Sequence, residues 1–224
     1  MIATDARPAP RAAGSTWVHR NHLGDIMGRV VLSIFTTADG VVDDPQRFTF
    51  QFVSEDSMRT GLAQLQAADA LLLGRVTYEG FAASWPNMTD EAGFADKMNS
   101  MPKYVVSTTL DRAQWNNTTV ISENVAETIT KLKAEVNGDI LIYGSVALVR
   151  WLLRNELVDE LRLVTYPVVM GGGVRLFEEP GEPGVLRLVG AQAFDSGVVV
   201  LTYAPTGDKL VGWGQEPGAP VGEG

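Results

Sequence analysis

ILIYGSVALVRWLL, residues 140–153, is an apolar strand that halts at one glycine and resumes as a helix. Residues 71–81, LLLGRVTYEGF, make the same strand–glycine–helix change. Apolar runs without polar alternation belong to strands covered on both faces, the habit of a parallel sheet. Outward from these two junctions, strand and helix patterns alternate. A β-branched run at 29–36 stops at Asp39-Gly40, and residues 54–68 carry Met58, Leu62 and Leu65 at helical spacing behind Ser54 as N-cap. A strand at 70–73, a helix at 76–85 stopped by Pro86, and a strand at 103–107 follow. Then come a helix at 124–136, a strand at 139–143, a helix at 146–154 and a strand at 160–166. Strands at 186–194 and 198–203, joined by Asp195-Ser196-Gly197, read as a closing hairpin. The expected class is α/β, with a mostly parallel central sheet, flanking helices and a C-terminal antiparallel hairpin.

The 224 residues, 45% hydrophobic and 20% charged, suffice for one sizeable core and are short for two. Residues 1–26, rich in Ala, Pro and Arg without periodicity, are expected to form a flexible extension. Residues 27–204 are the expected domain, and 205–224, crowded with Gly and Pro, a disordered tail. The chain has no cysteine, which removes disulfides, thiolate metal sites and cysteine nucleophiles. Its two histidines, His19 and His22, both precede residue 27, so the body works without imidazole. Ser-His-Asp hydrolysis and most zinc or iron catalysis are thereby excluded, and no metal site is expected. A net charge of −9 opposes a nucleic-acid partner. No apolar run approaches the roughly 20 residues of a membrane span, and no secretory signal opens the chain, so a cytoplasmic location is expected.

In an open parallel sheet, ligands bind beyond the carboxyl ends of the strands, where helix N-termini point free N–H groups outward. Gly74 and Gly144 stand at two such ends, and glycine lets the backbone approach a phosphate closely. Arg75 adds a charge suited to a phosphate fork, and Thr77 adds a hydroxyl donor. Ser107, Thr108 and Thr109 cluster at the end of a third strand. Each feature alone is ordinary turn chemistry; three in one domain point to a phosphorylated nucleotide. Neither junction has the GxGxxG spacing of a Rossmann fingerprint.

Six motifs in order carry a family resemblance: TADG at 37–40, ADALLLGRVTYEGF at 68–81, MPKYVVSTTL at 101–110, DILIYGSVALVRWLL at 139–153, LVDELRL at 157–163 and PVVMGGGVRLF at 167–177. The series resembles the dihydrofolate-reductase-like family, and more narrowly its bacterial branch related to the C-terminal reductase domain of riboflavin biosynthesis. The resemblance runs from about Met27 to Ala204. It implies NADPH as cofactor and a homodimer to which the edge strands near the C-terminal hairpin contribute. By that resemblance Gly74, Arg75 and Thr77 would meet the adenosine and pyrophosphate part, and Ser107 and Thr108 would lie near the 2′-phosphate. Gly144, Ser145 and Val146 would offer N–H groups to the pyrophosphate, and Gly171 and Gly172 would lie in a loop beside the cofactor. The chain departs from the pattern at three positions. Gly144-Ser145 stands where dihydrofolate reductases carry Gly-Gly, Ser33 where the riboflavin reductases place a lysine, and Tyr143 where they have an acid. The last two argue against a phosphorylated ribosylamino-pyrimidine substrate.

Asp39 resembles the acid of the SLDG turn in the riboflavin reductases, and equally fits a plain Asp-Gly turn. Glu55 and Asp56 lie near the carboxylate that handles the pterin proton in dihydrofolate reductases, although acids in a first turn are most simply dipole partners. Asp39 and Asp56 are the catalytic candidates, Asp56 on the expectation that it faces inward beside Phe52. Phe52, Trp85 and Tyr166 either stack on a planar substrate ring or belong to the core. The acidic run at 156–160 reads as a solvated turn. The expected activity is NADPH-dependent hydride transfer to a small planar unsaturated ring, pterin-, pyrimidine- or quinone-like. The alternatives are a non-catalytic cofactor-binding module and a flavin-binding reductase.

Overall fold

The computed structural model describes residues 27–177 and 184–209; the N-terminal extension and the last fifteen residues of the expected tail lie outside it. Six strands run parallel: β1 (Arg29–Thr37), β2 (Ala68–Gly74), β3 (Lys103–Val106), β4 (Thr118–Ile121), β5 (Asp139–Tyr143) and β6 (Glu160–Tyr166). Two more, β7 (Gly184–Ala193) and β8 (Val199–Lys209), form a hairpin, with β8 antiparallel to β6. The order across the sheet is β4-β3-β2-β5-β1-β6-β8-β7. This is the α/β architecture that the apolar runs imply, with the hairpin at one edge.

Six helices cover the sheet: α1 (Gln46–Thr49), α2 (Glu55–Gln66), α3 (Arg75–Ser84), α4 (Phe94–Ser100), α5 (Val125–Glu135) and α6 (Val146–Arg154). Strand alternation sends Leu32, Ile140 and Ile142 toward α5 and α6, where they pack with Ile129, Leu132 and Leu152. Val31, Leu71, Leu73 and Leu141 point the other way, packing with Leu65 of α2, Tyr78 of α3 and Met98 of α4. All of these strand side chains are fully buried, so β1, β2 and β5 read as unbroken apolar runs.

Elements at the periphery depart from the sequence expectation. α1 and α4 have only four and seven residues, too short for a periodic signal. α4 starts because the Asp90 carboxylate accepts from the Phe94 and Ala95 N–H groups. β4 is a four-residue edge strand. β8 runs on to Lys209, past the boundary expected at Pro205. Its pairing with β6 ends at Tyr203, so one side of β8 demands no further N–H there and the proline is tolerated.

The run 156–160 is not a solvated turn. Asp159 accepts from the Val30 N–H and pairs with Lys133, while Glu160 is buried as the first residue of β6. Lys103 is another buried charge. Its Nζ donates to the carbonyls of Asn99, Met101 and Asn116 and sits 4.3 Å from the Trp115 ring centroid. Burial pushes its pKa down to about 8, which still leaves an ammonium at neutral pH, with three hydrogens for three carbonyls.

Asp39, a catalytic candidate from sequence, is a loop anchor. Its carboxylate accepts from the Thr37 hydroxyl at 2.5 Å, the Gly171 N–H at 2.8 Å and the Met170 N–H at 3.2 Å. These bonds, the Thr37 hydroxyl foremost, hold its pKa down at about 2. An acid so held carries no proton to give at neutral pH.

Two expected outcomes follow from these buried and anchored charges. Lys103→Met, which strands three carbonyls, lowers unfolding free energy by about 2 kcal/mol in urea titration; an unchanged midpoint would refute the capping role. For Asp39 the folded pKa lies below its ordinary value, so its stabilisation is present above the ordinary value and disappears as pH falls toward about 2. The thermal-midpoint gap between the wild type and Asp39→Asn is therefore constant above about pH 4 and narrows below it. A gap that ignores pH would remove Asp39 as the anchor.

Candidate functional site

The sheet face under α2, α3 and α4 carries a cleft of about 1880 Å³. Residues 74–77 and 144–148 line its mouth, and Ser33, Tyr143, Gln64 and Arg162 line its floor.

The mouth forms where β2 and β5 end side by side. Leu71 pairs with Leu141, a register that carried forward sets Gly74 level with Gly144. Ser145 locks the two junctions together. Its hydroxyl accepts from the Gly74 N–H at 2.8 Å and donates to Thr77 Oγ1 at 2.8 Å. Gly144 takes φ +61°, a left-handed geometry that glycine adopts freely, and Ser145 repeats it at φ 61°, ψ 57°. α3 and α6 then begin with no side-chain cap, so their first N–H groups point from one place into the cleft mouth. Arg75 pairs with Glu79 at 3.0 Å and is 43% exposed, within reach of the mouth.

The floor is a chain of charges and dipoles on alternate strand residues. Arg29 of β1 bonds Asp139 of β5 through Nε and Nη2, and Glu160 of β6 through Nη1. Glu160 also takes Nε of Arg162 at 2.6 Å, and Arg162 donates on to Gln64 Oε1 at 2.9 Å. Gln64 of α2 in turn donates from Nε2 to the Tyr143 hydroxyl at 3.3 Å. Burial raises the pKa of Tyr143, and burial outweighs Arg29 in raising that of Asp139. Ser33, the Cα partner of Tyr143 on β1, is 3% exposed, and its hydroxyl bonds to nothing among the described residues.

Aromatic rings make the walls. Phe81 stacks edge-on against Trp85 and tilts over Tyr143. Tyr166 meets Phe35, Phe48 and Phe52 edge-to-face, and burial pushes its hydroxyl up to about 12. Phe52, Trp85 and Tyr166 thus all border the cleft, although Tyr166 is also the centre of a small core cluster.

Of the sequence candidates, Gly74, Arg75, Thr77, Gly144, Ser145 and Val146 converge on the mouth. Ser107 and Thr108 sit one and two residues beyond Val106, the partner of Gly74, outside the cleft lining. The Ser107 hydroxyl already accepts from the Thr109 and Leu110 N–H groups. Asp56 does not face inward: its side chain is 58% exposed and paired with Arg59. Ser54 and Ser57 cap the same helix reciprocally, which turns its first acids to solvent. Gly171 gives its N–H to Asp39, and neither it nor Gly172 lines the cleft. Sequence reasoning missed Gln64, Phe81 and the paired charges of the floor. The available signal was a charge opening each of three adjacent strands, Arg29, Asp139 and Glu160. Among the described residues no acidic or histidine cluster is placed to hold a metal ion, and no helix is long and apolar enough to cross a membrane.

Known proteins share this fold. Residues 29–200 match the family model of the RibD C-terminal domain. A Bacillus subtilis relative, the uncharacterized protein YyaP, is 30% identical over 179 residues, covering 78% of this chain and 94% of its own. A putative riboflavin biosynthesis protein from Shewanella superposes with a TM-score of 0.64 at 22% identity, over 80% of this chain and 99% of that one. Dihydrofolate reductase from Enterococcus faecalis, solved with NADP(H), gives a TM-score of 0.55 at 16% identity, over 80% and 98% of the two chains. With the family match and these superpositions each covering most of its length, the chain belongs to the RibD C-terminal domain family and has its dihydrofolate-reductase-like fold.

Proposed function

We propose that the protein is a reductase that uses NADPH to reduce a small planar unsaturated ring. The observation that carries this reading is the convergence of two uncapped helix N-termini, α3 and α6, on one cleft mouth through the Ser145 hydroxyl. Free N–H groups at helix starts attract phosphate, and two starts together suit a pyrophosphate. Gly144 leaves the approach open, since a Cβ there would meet nothing nearer than Thr77 at 3.6 Å. Residues 74–77 and 144–146 would hold the dinucleotide, with the Arg75 guanidinium available to a 2′-phosphate. The cofactor, when bound, supplies hydride; the protein supplies orientation and a water-poor floor. Neither Asp39 nor Asp56 serves as proton donor in this reading, because one is an anchor and the other faces solvent.

Binding measured by fluorescence titration separates these roles. Ser145→Ala weakens NADPH and NADH alike, because it unties both helix starts. Arg75→Ala weakens NADPH by roughly tenfold or more and barely changes NADH, as expected for a charge-assisted bond to the 2′-phosphate. Equal losses for both cofactors in Arg75→Ala would remove that contact, and full affinity in Ser145→Ala would remove the mouth as the pyrophosphate site.

A further inference from the structure

The floor contains a hydrogen-bond chain with a fixed direction. A guanidinium can only donate, so the Gln64 carbonyl must face Arg162 and its NH₂ must face Tyr143. The Tyr143 oxygen is thereby an acceptor from Gln64, and its own hydrogen is left without a partner among the described residues. Tyr143 lines the cleft, and Ser33 beside it is nearly inaccessible, with an unbonded hydroxyl. Two hydroxyls on neighbouring strands therefore stand on the same face of the sheet, both lining the cleft, with hydrogens to give.

We infer that Tyr143, aligned by Gln64 and Arg162 and seconded by Ser33, is the substrate-recognition donor of the cleft, and that it selects a neutral planar ring bearing a carbonyl oxygen. The inference rests on the reading of the cleft as a reductase site, and names its substrate class. Neutrality follows from the surrounding charges. The two buried carboxylates of the floor, Asp139 and Glu160, are both committed to Arg29 and Arg162, so no spare charge awaits a cationic heterocycle or an anionic tail. A carbonyl oxygen accepts from both hydroxyls. It also gains most from preset donors if negative charge develops on it as the ring is reduced. Tyr143 touches substrate in this scheme; Gln64 and Arg162 are positioning residues.

The test compares two probes of one shape, 1-indanone and indane, which differ by the carbonyl oxygen. Calorimetric titration of the full chain is expected to show 1-indanone bound roughly tenfold more tightly than indane. The infrared carbonyl stretch of bound 1-indanone should move to lower frequency than in hexane. Tyr143→Phe keeps the ring and, with Ser33 left as the one donor, is expected to cut the preference severalfold and to move the stretch most of the way back to its hexane value. Gln64→Glu is the sharper variant. A carboxylate accepts from Arg162 and from the phenol alike, so it draws the Tyr143 hydrogen away from the cleft. Loss of preference there, with Tyr143 still present, is a result that mere packing does not give. A preference that survives Tyr143→Phe undiminished, or is absent from the wild type, overturns the inference. Wild type that prefers 1-indanone yet binds no NADPH would sink the reductase reading and leave the Tyr143 assignment standing.

Discussion

Arg29 ties the middle of the molecule together. One guanidinium reaches Asp139 on β5 and Glu160 on β6, so a single cation joins β1 to both of its neighbours. Each ion costs several kcal/mol to desolvate, and the network offsets that cost only when all its members are in place. The raised pKa of Asp139 shows burial winning locally over its partner. Register is where the network has most leverage. Arg29 and Asp139 are Cα partners, and a slip of one residue would turn one of them to the opposite face and leave the other buried without a counter-charge. Breaking such a pair costs about 3–5 kcal/mol, far more than the intact pair adds to stability. The charges therefore select one alignment of three strands. That alignment brings Ser33 beside Tyr143, and it places Gly144 at the end of β5.

The cleft mouth obeys a different economy. Ser145 holds a left-handed backbone, which costs about 1–2 kcal/mol for a residue with a side chain. Its hydroxyl makes two bonds that return a comparable amount, one of them to the Gly74 N–H, which would otherwise start α3 unbonded. A second glycine in place of Ser145 would relieve the strain and lose the tie between the two loops. The serine exchanges local ease for a fixed distance between two helix starts.

The central sheet was legible because burial on both faces leaves no choice of residue: the runs at 139–143 and 160–166 match their strands end to end. The same holds for α6, whose apolar residues keep strict helical spacing. α1, α4 and β4 escaped because short peripheral elements are set by single caps and edge pairings, which leave no period to read. The mouth of the cleft was legible for a related reason, since glycine at the end of a buried strand constrains the backbone whatever surrounds it. The floor was hidden. Arg29 or Glu160 in a sequence looks like any surface charge, and only the pairing of β1 with β6 reveals that they meet inside. Asp39 misled for the opposite reason: an acid in a turn reads identically whether its oxygens meet a substrate or the N–H groups of Met170 and Gly171.

These two ends give one cleft two electrostatic characters. The chain carries a net charge of −9, which at long range disfavours any anion. In the proposed reading the mouth would overcome this over a few ångströms with backbone dipoles and one arginine, an arrangement that needs no net positive domain. The floor does the reverse. Two guanidinium groups and two carboxylates sum to zero and use each other as partners, so a charged group placed among them would be buried without compensation. A molecule with phosphates at one end and a neutral ring at the other matches both ends at once. In the proposed reading a neutral acceptor matches the floor alone, so that the mouth would select what is held and the floor what it meets.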